Sequence, residues 1–154
     1  MIISTKRLII YPASDDELRR IIAEEPSPEL REAYGQMLEG SVTHPDKREW
    51  YVIWNIELND GSKTVVGHMS FMGLEEDGIL ELGYGTNDGY EGHGYMTEAV
   101  SAVVRWASER DGVRRIEAET APENAASQRV LEKSGFAPNG RMGEEGPRFV
   151  WQGL

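Results

Sequence analysis

The spacing of apolar positions changes several times along the chain, and each change marks an element. Thr5 to Tyr11 (T-K-R-L-I-I-Y) reads as a first strand closed by Pro12. Ser14-Asp15-Asp16-Glu17 then supplies an N-cap and first-turn acids for a helix to about Glu25, which Pro26-Ser27-Pro28 breaks. A second helix is predicted from Glu29 to Glu39, ended by Gly40, because Leu30, Tyr34, Met37 and Leu38 recur at helical spacing. From Trp50 the period falls to two. Trp50, Val52, Trp54 and Ile56 share one face of a strand, and Asn59-Asp60-Gly61-Ser62 turns the chain into a second strand, Thr64 to Met72. Asp77-Gly78 makes another turn into Ile79 to Thr86, so three strands form an antiparallel meander. Met96, Ala99, Val100, Val103, Val104 and Ala107 fall at i, i+3, i+4, i+7, i+8 and i+11, an amphipathic helix ending near Gly112. Arg114 to Thr120 alternates as a fifth strand. Pro122-Glu123-Asn124 opens a short helix through Lys133 with Gly135 at C′, and Arg148 to Gln152 is a last strand after a Gly-rich loop.

This order predicts a single domain over residues 1–154 of α+β (mixed α/β) class, with one strand-helix-strand crossover around Gly92 and Gly94. The two glycines lie between a predicted strand and the first turn of a predicted helix. Unpaired backbone N–H groups and the positive end of the helix dipole favour an anion there, and glycine lets the backbone approach a phosphate closely. A lone G-x-G also serves as an ordinary tight connection. The chain has no G-x-x-x-x-G-K-[ST], and Thr97 stands where a dinucleotide-binding G-x-G-x-x-G needs its third glycine, so neither familiar phosphate motif applies.

Composition narrows the function classes. The net charge of −11 argues against a nucleic-acid or anionic-membrane surface and mildly favours a cationic partner, although such charge also serves simply as a solvated surface. The cluster Trp50, Tyr51, Trp54 has no basic groove beside it and reads as core rather than a base-stacking platform. With no Cys, thiol catalysis and Cys-based metal sites are excluded, and His44, His68 and His93 are too scattered to form a metal site. The N-terminus has no apolar run behind Lys6 and Arg7, and no segment approaches transmembrane length, so a cytoplasmic protein is expected.

Three segments carry a family resemblance. Thr5-Lys6-Arg7-Leu8-Ile9-Ile10 resembles an opening T-x-R-L-x-L strand. Tyr90-Glu91-Gly92-His93-Gly94-Tyr95-Met96-Thr97-Glu98-Ala99 resembles Y-W-G-K-G-Y-A-T-E-A. Asn124 to Ser127 with Val130 to Phe136 resembles N-x-x-S-x-x-V-L-E-K-x-G-F, the most specific of the three. Together they resemble the GNAT superfamily of N-acetyltransferases, in its RimJ/RimL-like branch. The resemblance implies a central, mostly antiparallel twisted sheet of six to seven strands with about four helices, and acetyl-CoA as donor. It also implies a pyrophosphate on the amides of Gly92 to Met96, with Glu91, His93, Gly94 and Tyr95 in the turn. The pantetheine arm would pair beside Tyr84, Gly85 and Thr86, in a cleft where the fourth and fifth strands splay. Three departures stand out. Glu91 replaces a Gln or Arg and Met96 a small residue, and Leu131 occupies a position where the family often has a Tyr acid.

Acetyl transfer to an amine needs a base, an oxyanion donor and a proton for the leaving thiolate. Glu81, in the strand just before Leu82-Gly83-Tyr84, is the candidate base, with a solvent-facing strand residue as the plain alternative. Asn124 and Ser127 lie three apart at a helix start, so both can face the cofactor arm. By resemblance Asn124 holds the pantetheine and Ser127 is the acid, while Asn124 also suits an N-cap. Arg129 and Lys133 either meet the adenosine end or are solvated charges. The expected activity is direct acetyl transfer to a primary amine, either a protein or peptide N-terminus or a small molecule, by a monomer or homodimer without a metal. The alternative is a non-catalytic acyl-CoA sensor. The acceptor is left to the stretches Glu39 to Glu49 and Arg141 to Pro147, which no motif decodes.

Overall fold

The computed structural model describes residues 1–154. In chain order its elements are β1 (Ile3–Ser4), β2 (Leu8–Pro12), α1 (Asp15–Glu24), α2 (Pro28–Thr43), a 3-10 turn (Pro45–Trp50), β3 (Ile53–Leu58), β4 (Val65–Phe71) and β5 (Ile79–Thr86). There follow α3 (Tyr95–Ser108), β6 (Arg115–Glu119), α4 (Ala125–Lys133), β7 (Phe136–Met142) and β8 (Pro147–Trp151). Ser14 and Ser27 cap α1 and α2 through their side chains, as their positions before acidic first turns suggest.

Three expectations are corrected. Gly40 does not end α2, which continues to Thr43. Its missing side chain serves packing instead, since a Cβ there would lie 2.8 Å from the Tyr51 ring. Trp50 is not on the strand but closes the 3-10 turn and packs against Phe71 and Trp106, so β3 begins at Ile53. The Gly-rich stretch after α4 contains a strand, β7, that Pro138, Asn139 and Gly140 conceal by breaking the alternation; its pairing with β8 shifts register between Pro138 and Met142. With β7 and the short β1, the sheet has eight strands rather than six to seven.

The strand order is β1-β2-β3-β4-β5-β6-β8-β7. Every neighbouring pair is antiparallel except β5 and β6, which are joined through α3 and run parallel. Leu80, Leu82, Ile116 and Ala118 are buried with Val100, Val103 and Val104 of α3, which fixes that face of the sheet as the main core. Ala13, Leu18, Val52 and Ile53 form a smaller core on the opposite face, where α1 lies. Because side chains alternate, Glu81, Gly83 and Gly85 face the α1 side, and Tyr84 and Thr86 the α3 side.

The pairing of β5 with β6 stops at Leu82 and Ala118. Glu81 accepts from Met72 and Asn87 donates to Val66, so the peptide groups of odd-numbered β5 residues point to β4. The even-numbered ones point the other way. Beyond Leu82 the N–H and C=O groups of Tyr84 and Thr86 therefore face a gap with no strand in it.

Candidate active site

A cleft of about 430 Å³ opens at that gap. One wall is Tyr84, Gly85 and Thr86 of β5; another is the turn before α3, from Tyr90 to Gly94, with Tyr95, Met96 and Thr97. The third is the first turns of α4, including Asn124, Ser127, Arg129 and Lys133. Segments 40 residues apart in sequence meet here because parallel strands need a long crossover, and α3 supplies it.

The turn presents its backbone. The amides of Gly92, His93, Gly94, Tyr95, Met96 and Thr97 donate to no backbone acceptor, and the first bond of the helix runs from Glu98 to Gly94. Gly92 and Gly94 have φ of 77° and 78°, the left-handed region that glycine enters without strain. These unpaired donors and the dipole of the long helix α3 make the end of the cleft electropositive. Arg129 and Lys133 add full positive charges on its wall, against the acidic balance of the chain.

The departures in the turn find an explanation. The Met96 side chain is buried and rests against Gly67, where a Cβ would come within 3.1 Å of its Cε. Its bulk goes into the core, and only its backbone is spent on the cleft. Glu91 lines the cleft and is exposed. His93 does not line the cleft; its imidazole lies 5.5 Å from the Tyr95 ring on the outside of the turn. Leu131 is fully buried in the core.

At the other end, Asn124 caps α4 by accepting from the Ser127 amide at 3.0 Å. Tyr84 reaches across the cleft from β5. Its hydroxyl donates to the Ser127 carbonyl at 3.0 Å and lies 2.9 Å from Ser127 Oγ, whose hydroxyl is then the donor of that second bond. Burial pushes the Tyr84 phenol up, against the lowering effect of Ser127, so the phenol keeps its proton near neutrality.

Glu81 is on the opposite face, in a cluster that its sequence position does not reveal. Arg148 of β8 donates to Glu81 at 2.6 Å, to Glu117 at 3.1 Å and to Glu119 at 2.7 Å. The hydrogen bond it donates to Glu81 is the first cause holding the Arg148 guanidinium well above its ordinary value, and it stays charged. Glu119 is held below the usual carboxylate range by the Glu145 amide and by Arg148. Glu81 Oε1 is thus engaged, and the other carboxylate oxygen has no protein partner.

Sequence reasoning passed over a row on the same face. Tyr11, Asn55, His68 and Gly85 are register partners across β2 to β5. Asn55 donates to Glu17 of α1 at 3.0 Å, and Tyr11 to Glu57. Burial and Glu57 push Tyr11 up to about 12. His68 is half-buried and makes no hydrogen bond; burial lowers its pKa and Glu17 partly offsets this. A Cβ at Gly85 would touch nothing within 4 Å, so the row ends in open space beside the splay. Alternation along each strand placed these residues on one face, but only the strand order lines them up.

Comparison with known proteins agrees with this architecture. The family profile described as acetyltransferase (GNAT) domain matches residues 7–137. The uncharacterized N-acetyltransferase YjdG of Bacillus subtilis is 37% identical over 92 residues, 59% of this chain and 54% of YjdG, so the match spans about half the length of that relative. An acetyltransferase structure from Agrobacterium tumefaciens superposes with a TM-score of 0.75 at 20% identity, covering 99% of this chain and 94% of the other. RimL, a ribosomal L7/L12 alpha-N-protein acetyltransferase solved in complex with coenzyme A, superposes with a TM-score of 0.72 at 18% identity over 98% and 96% of the two chains. Both likenesses establish the fold, and the profile match over most of the length establishes the family: the chain belongs to the GNAT acetyltransferases.

Proposed function

We propose that the protein is an N-acetyltransferase that takes acetyl-CoA as donor and a primary amine as acceptor. The observation that carries this reading is the run of unpaired amides from Gly92 to Thr97, which leads into an unpaired strand edge at Tyr84 and Thr86 and ends at Ser127. An anion cradle, a peptide-like edge and a hydroxyl, in that order, suit a pyrophosphate, a pantetheine amide chain and a sulfur. The RimL structure, solved with coenzyme A, shares the fold.

When bound, acetyl-CoA supplies a thioester carbonyl open to a neutral amine. The residues of the chain then manage protons and position. Gly92, Gly94, Tyr95 and Met96 hold the phosphates through their amides, with Glu91 and His93 contributing backbone only. Tyr84, Gly85, Thr86 and Asn124 hold the arm. Ser127, oriented by the Tyr84 phenol, carries the proton for the sulfur. On the acceptor side Glu81 takes the amine proton through its unengaged oxygen, while Arg148 fixes the carboxylate in place. The acidic face around Glu81, Glu117 and Glu119 favours an acceptor that arrives as a cation.

Thiol release from acetyl-CoA, followed across a panel of peptides, polyamines and aminoglycosides, tests the proposal. Acceptor-dependent release of CoA is the expected result. Tight CoA binding with no turnover on any amine would make the protein a sensor or interaction module instead.

A further inference from the structure

Arg7 precedes the first long strand, and nothing in its local sequence connects it with a turn more than eighty residues away. In the fold it reaches that turn. Its Nε donates to Glu98 Oε1 at 2.7 Å and its amide to Glu98 Oε2 at 3.0 Å. Its Nη1 donates to the His93 carbonyl at 2.9 Å, and its guanidinium stacks 4.7 Å from the centre of the Tyr95 ring. Thr5 completes the assembly by donating to Glu98 Oε2 at 2.5 Å and accepting from the Leu8 amide. The motifs T-K-R-L and G-H-G-Y-M-T-E thus meet as one hydrogen-bonded unit. Burial raises the Glu98 carboxyl, but the bonds from Thr5 and Arg7 outweigh it and hold the group below the usual carboxylate range.

We infer that Arg7, braced by Glu98, is a positioning residue for the donor phosphates. It acts by fixing the His93 to Gly94 peptide so that the Gly94 amide points into the cleft. In a trans peptide the C=O of one residue and the N–H of the next point in opposite directions. Holding the His93 oxygen on the outer side therefore aims the Gly94 N–H inward. The turn needs such a brace, because its glycines are exposed and conformationally free and a Cβ at Gly92 would meet nothing within 4 Å. Arginine suits the task and lysine does not, since only a planar fork reaches a carboxylate and a carbonyl at once.

This inference rests on reading the cleft as a CoA site. Calorimetric titration of the whole chain with CoA and with pantetheine, which lacks the phosphates, tests it. In Arg7→Ala and in Arg7→Lys the affinity advantage of CoA over pantetheine should shrink about tenfold, the order expected for losing one charge-assisted hydrogen bond. Affinity lost equally for both ligands, or an undiminished advantage, would overturn it; thermal melts of the free variants show whether an equal loss is one of folding. Wild-type protein that binds no CoA would instead sink the reading of the cleft, and the inference with it.

Discussion

The two sides of the splayed strands are built differently. On the α3 side the cleft presents the backbone amides of one short turn, where the Met96 side chain leaves for the core, the His93 ring stays off the cleft and the exposed Glu91 lines it. On the α1 side, Glu81, Glu117, Glu119, Arg148 and His68 come from four different strands, and their side chains form the surface. A turn that presents backbone amides tolerates changes of side chain as long as φ is preserved, which is how Glu91 and Met96 fit within it. A side-chain site has no such tolerance, so under the proposed function acceptor preference would reside there.

The contrast can be broken in order of expected effect. Gly94→Val forces a β-branched residue to φ of 78° and brings its Cβ to 3.4 Å from Arg7; CoA affinity should fall roughly 100-fold or more by calorimetry. Retained binding would remove the turn from the site. On the other face, Glu81→Gln should leave CoA affinity within about twofold and lower kcat by about 10²-fold. An unchanged kcat ends the assignment of Glu81 as base.

Smaller effects sharpen the same comparison. Arg148→Ala leaves three carboxylates facing one another, and the melting temperature should drop by about 5 °C at low salt, with partial recovery at high salt; a salt-independent drop would mean lost packing instead. Acid stability separates the two faces by pH window. His68 has a folded pKa below its ordinary 6.5, so the unfolded chain binds its proton more readily. Its contribution is complete above 6.5 and declines as pH falls through the folded value, and His68→Gln should flatten that stretch of a denaturant titration. Glu98 is also held below its ordinary 4.5, so its stabilisation is complete above 4.5 and is lost only in the more acid range, where Arg7→Ala should remove it. A wild-type stability curve that is flat between 6.5 and 4.5 would contradict the His68 assignment.

Most elements were legible because their signals are local. The stripe from Met96 to Ala107 is buried as its spacing requires, and the Ser14 and Asn124 caps act within one turn. Where local signals misled, a distant partner had intervened. Gly40 looked like a helix stop, but the Tyr51 ring claims the space its missing side chain leaves. Trp50 matched a strand period, but Phe71 and Trp106 draw it into the core from a 3-10 turn.

The candidate site divides along the same line. The sequence by itself determined the local frame of one half: Gly92, Gly94 and the helix they open are neighbours in the chain, and Asn124 and Ser127 lie on one turn, so spacing and φ preference suffice to place the glycine turn and the cap. Only the tertiary structure decided that Tyr84 meets Ser127, that Arg148 grips Glu81 and that Arg7 braces His93 and Glu98. Such pairs leave no periodic trace, because a charged residue at a strand position looks the same whatever stands opposite. The order β5-β6-β8 and the return of α3 across the sheet choose their partners.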